Sequence, residues 1–233
     1  MRNKTSGFTV GGIEIELQRK NIKNLHLYVL PPDGRVRISA PMRLSKEQIA
    51  GFVSSKLDWI RKQQAKLAEK PPVSVLTYQS GETFYLSGKP YTLYVEYGNG
   101  KKSVRLEDDR IILNIRAEST AEQREKVVNE WYRVLLKEQI ALLLPKWERI
   151  TGLYSASWQI KNMKTRWGTC NTQTKKIWLN LRLAEKPSES LEYVILHELV
   201  HLKIPGHGKD FEAVLDRYMP DWRERRERLN ISL

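Results

Sequence analysis

The sequence predicts an α+β protein, with a β-rich N-terminal region at residues 1–118 and a mixed helical and β part at residues 119–233. Segments in which apolar and polar residues alternate are frequent in the first region, as in half-buried strands. Apolar residues at helical spacing become frequent in the second region. Hydrophobic residues make up 40% and charged residues 29% of the 233 residues, which indicates a globular chain and not a disordered or fibrous one.

Strands are predicted where apolar and polar residues alternate, or where turn residues separate short apolar segments. The predicted strands are residues 13–17, 25–30, 35–40, 91–97, 103–106, 110–115, 158–163 and 177–183. In the last segment the odd-numbered residues from Ile177 to Leu183 are all apolar, and a strand places them on one face. Only one helix is predicted within the first region. Ser45 and Gln48 match a capping box at its start, and Lys70-Pro71-Pro72 ends it.

Three helices are predicted in the second region. The first begins at Thr120, which forms a capping box with Gln123, and ends or bends at Pro145. Its predicted core face carries four apolar residues, Val128, Trp131, Leu135 and Leu142. The second helix follows Pro187-Ser188, and the third lies between Gly208 and Pro220.

The net charge of +13 and the pI near 9.7 describe a basic protein. The positive excess runs through both halves, with clusters at residues 19–23, 101–102 and 223–228. Two interpretations remain open, a surface that binds nucleic acid without sequence preference and a solvated basic surface. Charge alone does not separate them.

Cys170 is the only cysteine, so an intramolecular disulfide is excluded and a reducing compartment is expected. We interpret this residue as a small buried apolar side chain and not as a nucleophile. Apolar stretches are too short to cross a bilayer, and no apolar segment follows the basic residues near the N-terminus. These features predict a cytoplasmic protein without a membrane partner.

The segment His197-Glu198-Leu199-Val200-His201 carries the clearest chemical signal. On a helix, two histidines four residues apart lie on one face, so both imidazoles can bind one metal ion. Zinc held by three protein ligands keeps a position open for water, and a neighbouring carboxylate such as Glu198 can accept a proton from that water. The pattern therefore predicts a zinc-dependent hydrolase, with His197 and His201 as ligands and Glu198 as general base.

His207 is the predicted third ligand, but a continuing helix would turn it away from the metal. Pro205 disfavours helical geometry at Ile204, and Gly206 can adopt a positive φ angle. We therefore expect the helix to break there and the chain to return His207 to the metal. This histidine spacing is that of the metzincin pattern, except that Ile204 stands where that pattern has glycine.

The alternatives are histidines packed on a helix without a metal, and a purely structural zinc site. The chain has only four histidines and three lie in this segment, which argues against the first. A glutamate beside the first ligand and only three evident protein ligands argue against the second.

Residues 164–171, 177–180 and 193–199, together with the zinc motif, resemble the YgjP-like metallopeptidase family. The resemblance covers most of the chain. It implies a zincin-like catalytic domain with an added β-rich region, a zinc cofactor, peptide or protein substrates, and distant kinship with the SprT-like proteases. Thr169, Gly208 and Glu212 depart from the expected family residues without affecting the metal ligands.

Two further residues are candidates for contacts with substrate or transition state. Arg166 could contact a substrate carboxylate or an oxyanion, or could stack structurally on Trp167. Tyr193 lies one helical turn before His197 and either lines the cleft or belongs to the core. Besides a peptidase, the sequence leaves open a zinc hydrolase of non-peptide amides or esters, and a nucleic-acid-associated module with a non-catalytic zinc site.

Overall fold

The computed structural model describes residues 5–30, 33–68 and 76–231. The chain divides into two compact units, Met1–Val75 and Leu76–Leu233. Each unit buries a hydrophobic core of its own. The structure confirms the predicted α+β class with a β-rich N-terminal part.

The first unit is a four-stranded sheet with two helices. Its elements are β1 (Thr5–Val10), β2 (Ile13–Lys20), β3 (His26–Leu30), β4 (Arg35–Pro41), α1 (Lys46–Ser54) and α2 (Leu57–Ala68). The strand order is β1-β2-β4-β3, with β2 and β4 parallel and the two outer pairs antiparallel. Alternate residues of β2 and β4 join side chains of both helices in the core: Ile15, Leu17, Val36, Ile38, Ala40, Ile49, Val53 and Ile60.

The second unit contains two sheets and four α-helices among its described residues. The first sheet is built from β5 (Thr83–Leu86), β6 (Lys89–Tyr97), β7 (Ser103–Glu107) and β8 (Arg110–Ile115), in the order β5-β6-β8-β7. The second is built from β9 (Ser157–Lys161), β10 (Gly168–Asn171) and β11 (Lys176–Asn180), in the order β10-β11-β9. The helices are α3 (Ala121–Thr151), α4 (Ser188–His201), α5 (Lys209–Tyr218) and α6 (Trp222–Asn230), with a 3₁₀ helix at Leu181–Glu185 before α4.

The four-stranded sheets of the two units have the same topology. In each, two hairpins are joined through a central parallel pair, and a helix follows the last strand. The first hairpin turns through two residues with positive φ in both units, Gly11-Gly12 and Ser87-Gly88, as tight hairpins require. The helix after each sheet begins with a capping box, which confirms the two caps predicted from sequence. Two segments of different sequence therefore adopt the same arrangement of strands.

Two ion pairs fix α4 relative to its neighbours in the second unit. Glu192 on α4 accepts hydrogen bonds from Lys146 on α3, at 2.7 Å, and from Arg225 on α6, at 2.8 Å. Burial alone would raise the pKa of Glu192, but these two cations outweigh burial and the pKa is lowered. One ionised carboxylate on α4 thus connects this helix to α3 and α6.

The structure corrects several details of the sequence analysis. The helix predicted after Ser45 is two helices with a break at Ser55-Lys56, and its predicted end at Lys70–Pro72 lies outside the described residues. Helix α3 continues through Pro145. Its buried face consists of Arg124, Val128, Tyr132, Leu136, Ile140, Leu144 and Trp147, whereas Leu142, which we expected in the core, is 76% exposed.

The division between units lies at Val75–Leu76, whereas the sequence suggested a boundary near residue 118. The reason is that β5–β8 pack against α3 and share its core; Tyr132 on α3, for example, donates a hydrogen bond of 2.7 Å to the Tyr85 carbonyl on β5.

None of the helices in the described part of the chain has both the length and the apolar character needed to cross a membrane.

Candidate metal centre

Helix α4 carries His197 and His201 on one face, and the chain after it returns His207 to the same point. The three Nε2 atoms lie 3.1 Å from one another. Burial, with smaller effects of the neighbouring His201, His207 and Arg226 side chains, lowers the pKa of His197 to about 3, and burial also lowers the pKa of His201. Both imidazoles are therefore neutral at pH 7, the form that binds metals.

The spacing of these nitrogens fits a zinc ion. Three nitrogens held about 2.05 Å from zinc at tetrahedral angles lie roughly 3.3 Å apart. The Nδ1–H of His201 donates a hydrogen bond of 3.0 Å to the carbonyl oxygen of Ile204, so its neutral Nε2 carries a lone pair. Converging lone pairs repel one another unless a cation lies between them, and the donor set therefore fits a metal site.

The turn after α4 differs from the one that we expected. Helix α4 ends at His201, and amides of the following turn hydrogen-bond to Leu199 and Val200. Gly206 does not adopt a positive φ angle. The reversal that returns His207 therefore relies on the early helix end, which the His201–Ile204 hydrogen bond stabilises, and not on a left-handed glycine.

Tyr193 contacts His197 from one turn earlier on α4. Its hydroxyl lies 3.4 Å from Nδ1 of His197, and its ring stacks on Trp222 of α6 at an interplanar angle of 9°. The residue is only 5% exposed, yet it contributes to the cleft wall. Both interpretations of Tyr193, as a core residue and as a cleft residue, describe part of its environment.

Phe211 on α5 supports the three histidines from the protein interior. Its ring centroid lies 4.9, 4.7 and 5.0 Å from those of His197, His201 and His207. The side chain is 2% exposed. Sequence reasoning missed this contact, because it depends on how α5 packs against α4.

Glu198 is 4% exposed and lies among the residues that line the same cleft as the histidines. Its Oε2 atom has no hydrogen-bond partner among the described residues. Burial raises the pKa of Glu198 to about 8, although the positive charge of Arg166 opposes this. A dication at the three histidines would lower the pKa, because positive charge favours the carboxylate. The unpartnered oxygen is therefore a buried polar atom that the described residues leave without a hydrogen-bond donor.

Gly168, the first residue of β10, gives Glu198 the space that it occupies. A Cβ atom at residue 168 would lie 2.8 Å from both Cγ and Cδ of Glu198. Contacts under 3.0 Å force a rearrangement, so only glycine fits without moving the carboxylate. Sequence reasoning missed this residue, since β10 was not predicted and the contact joins positions far apart in the chain.

The cleft in front of the histidines has a volume of about 710 Å³. Its walls come from the segment before β10, from β10, from α4, and from α6. Helix α6 was not predicted, because the sequence Arg223 to Arg228 contains only charged residues and shows no apolar period.

Cys170 also lines the cleft, where burial and the Glu198 charge raise its thiol pKa to about 11. A neutral thiol agrees with a non-nucleophilic cysteine.

Arg166 is exposed in the cleft and does not stack on Trp167. The cation found over the Trp167 ring is instead Lys186, at 5.6 Å. Asn180, which is 4% exposed, holds the loop by donating hydrogen bonds to the carbonyl oxygens of Met163, at 2.8 Å, and Arg166, at 2.7 Å. These two hydrogen bonds therefore fix the backbone of the loop that carries Arg166.

Comparison with protein families matches this chain to the family described as YgjP-like, metallopeptidase domain, over residues 23–232. Among curated proteins, an uncharacterized protein of Methanocaldococcus jannaschii, MJ0123, is 41% identical over 63 residues. That alignment covers 26% of this chain and 57% of the relative, so it extends over little more than half of that protein.

Two solved structures show a partial likeness. One is the metallopeptidase zymogen of Pyrococcus abyssi abylysin, with 22% identity, a TM-score of 0.36, and coverage of 39% of this chain and 90% of that chain. The other is the metallopeptidase zymogen of Methanocaldococcus jannaschii jannalysin, with 30% identity, a TM-score of 0.35, and coverage of 38% and 85%.

Proposed function

This chain belongs to the YgjP-like metallopeptidase family, and we propose that it hydrolyses peptide bonds with zinc held by His197, His201 and His207 and with Glu198 as general base. The catalytic domain would be of the zincin type. The single observation that carries the proposal is the triangle of three Nε2 atoms, 3.1 Å apart, in one cleft with the unpartnered carboxylate of Glu198.

Bound zinc would supply a Lewis acid that polarises the scissile carbonyl and makes water acidic near neutral pH. Glu198 takes the proton of the attacking water and then delivers it to the amide nitrogen that leaves. Its burial suits both steps, because a carboxylate with a raised pKa holds the proton long enough to transfer it. The Ile204 carbonyl oxygen holds His201 in the tautomer whose Nε2 lone pair points at the metal. The Tyr193 hydroxyl can accept a hydrogen bond from Nδ1–H of His197 in the same tautomer.

The test is a substitution of Glu198 by Gln in the full chain. Glutamine keeps the size of the side chain and leaves the three ligands intact, but it cannot accept the proton. We expect zinc content to stay unchanged and hydrolysis of a mixed protein substrate to fall by about 10³-fold or more, since water activation is lost. Near-normal hydrolysis by Glu198→Gln would reject the role of Glu198.

A zinc hydrolase of non-peptide amides or esters uses the same residues, and the substrate distinguishes it. If simple esters and small amides are cleaved while proteins and peptides are not, the peptidase proposal fails and this alternative replaces it. A module with a non-catalytic zinc site predicts no hydrolysis of either class.

We also propose a cytoplasmic location, which the free thiol of Cys170 supports.

Non-specific nucleic acid binding is a second candidate, and the first unit favours it. The parallel strands β2 and β4 end at the same edge of their sheet, where Arg43 donates a hydrogen bond to the Lys23 carbonyl oxygen and Lys20 and Lys46 lie nearby in sequence. DNA or RNA binding there should weaken steeply with salt. A titration at about 50 mM salt without binding at low micromolar protein would reject it.

A further inference from the structure

The charge of the cleft points to the kind of substrate. Apart from the metal-binding histidines, three charged side chains line it, Arg166, Arg226 and the buried Glu198. Both arginines are exposed, whereas Glu198 is 4% exposed. A substrate in the cleft therefore meets two guanidinium groups in addition to any bound metal.

Neither arginine uses its guanidinium for the fold. Among the described residues, the side chains of Arg166 and Arg226 form no hydrogen bond and no ion pair. Neighbouring arginines on α6 differ: Arg223 pairs with Asp216 at 2.6 Å, and Arg225 pairs with Glu192 at 2.8 Å and with Asp221 at 2.8 Å. The arginines that hold α6 in place are thus distinct from the one that faces the cleft.

A bridge of side chains places the two arginines on one part of the cleft wall. Trp167, next to Arg166, donates its indole N–H to Oδ1 of Asn230 at 3.4 Å. The Asn230 amide donates in turn to the carbonyl oxygen of Arg226 at 2.9 Å. Together with the hydrogen bond from Asn180 to the Arg166 carbonyl, this bridge fixes the backbone at both arginines. A ligand that binds both side chains therefore does not have to order the backbone.

The cleft continues past Arg226 into a second hollow of about 530 Å³. Arg226 and Asn230 line both spaces. In the second hollow, Glu212 is already paired with Arg223, and Glu227 forms no ion pair with Arg226 in the described structure. An extended chain that leaves the metal site in this direction has to pass Arg226.

From these contacts we infer that the cleft selects peptides carrying a carboxylate, which Arg226 and Arg166 bind beside the metal centre. Guanidinium groups pair with carboxylates through two parallel hydrogen bonds, which gives direction as well as charge. The carboxylate has two sources, an Asp or Glu side chain within the substrate and the free C-terminus of a peptide. This inference rests on the proposed peptidase function, whose substrate it specifies.

The experiment measures binding separately from hydrolysis. Fluorescently labelled, end-blocked peptides carry a single Glu or Gln at each position in turn, and a second pair has a free or amidated C-terminus. Binding to the full zinc-loaded Glu198→Gln chain is followed by anisotropy, which needs no turnover. We expect about tenfold tighter binding of the carboxylate member of at least one pair, as for a charge-assisted hydrogen bond. The pair that responds identifies the source.

Variants connect the preference to the arginines. In the Glu198→Gln background, Arg226→Gln and Arg166→Gln should each reduce the preference, the double variant should abolish it, and Arg226→Lys should keep part of it. Arg228→Gln is the matched control, because Arg228 lies on the same helix, pairs with Glu224 at 3.8 Å, and does not line the cleft. Equal binding of the pair members, or a preference that survives the double variant, would overturn the inference.

Cleavage of the same peptides by the zinc-loaded unsubstituted chain separates this inference from the proposed function. Cleavage without a carboxylate preference rejects the inference and leaves the peptidase proposal standing. Preferential binding without any cleavage rejects the peptidase proposal and retains the carboxylate site. If no peptide of either kind binds or is cleaved, both are rejected.

Discussion

Gly168 lies so close to Glu198 that the glutamate side chain occupies the space which a side chain at residue 168 would fill. We predict that Gly168→Ala displaces Glu198, because the new methyl group would lie 2.8 Å from its Cγ and Cδ. A displacement of about 1 Å costs on the order of 100-fold in activity, while the three histidines keep the metal. Activity and zinc content measured on the same preparation check this.

Gly206→Ala is the control for this substitution. A Cβ atom at residue 206 has no heavy atom within 4 Å and its φ angle is not positive, although it lies next to His207. The Gly206→Ala variant should therefore hydrolyse substrate at a rate within a few-fold of the unsubstituted chain. Equal activity of the Gly168 and Gly206 variants would show that the carboxylate tolerates the extra methyl group.

Removal of a single ligand should remove most of the zinc. The unsubstituted protein is expected to hold about one zinc per chain, and His207→Ala should lose most of it because two protein ligands bind weakly. His26→Ala is the matched control, since His26 lies on β3 in the first unit. Elemental analysis after dialysis measures the difference. Full zinc retention by His207→Ala would move the third ligand elsewhere, with Asp210 or Glu212 as the next carboxylates in the chain.

Burial of Glu198 predicts a pH effect on stability in the metal-free protein. The folded-state pKa is raised from 4.5 to about 8, so between these values the folded state binds more protons than the unfolded state. The stability contribution of Glu198 is then fully present below pH 4.5 and is lost as pH rises toward 8. Each pKa unit corresponds to about 1.4 kcal/mol.

Glu198→Gln removes this titration but leaves the histidine contributions in place. Chemical denaturation of both metal-free proteins from pH 5 to pH 8.5 should therefore show the Gln variant gaining stability relative to the unsubstituted chain as pH increases. Two curves that stay parallel across this range would mean that the Glu198 carboxyl is not desolvated in solution.

The Tyr193 hydroxyl is expected to strengthen zinc binding but to contribute little to the stability of the fold. Tyr193→Phe removes the contact with Nδ1 of His197 and preserves the ring stacked on Trp222. Groups that orient a metal ligand typically change affinity by about 10-fold or more. Competition with a chelator should show weaker zinc binding at unchanged thermal stability. Tyr154→Phe, at a position that is 57% exposed, is the control.

Local patterns allowed much of this structure to be predicted. Strands β2 and β6 were found because apolar and polar residues alternate along them, and β4 and β8 because turn residues precede a short apolar segment. The capping boxes at Ser45 and Thr120 were found because a cap involves residues three apart. Placing His197 and His201 on one face required only helix geometry. Leu142 was misplaced because an apolar residue on a long helix does not reveal which face packs, and Tyr132 and Ile140 supply the core contacts instead.

Long-range contacts could not be predicted in the same way. Gly168 matters only because β10 passes the Glu198 side chain, and Phe211 only because α5 packs behind the histidines. Arg226 lies on a helix without an apolar period, so its place in the cleft follows from ion pairs such as Arg225–Glu192 that fix the helix. Each of these contacts joins residues that lie far apart in the chain. A pattern read within a short segment of sequence therefore gives no information about them.

The repeated sheet topology provides a comparison within a single molecule. The two sheets bury different side chains in their cores, yet they share left-handed residues in the first hairpin turn, a central parallel strand pair, and a capped helix after the last strand. Two different sets of buried apolar side chains are therefore compatible with one strand order. The identity of these side chains can vary between the units while they remain apolar, and in the second unit the same core also packs against the helix that carries His197 and His201.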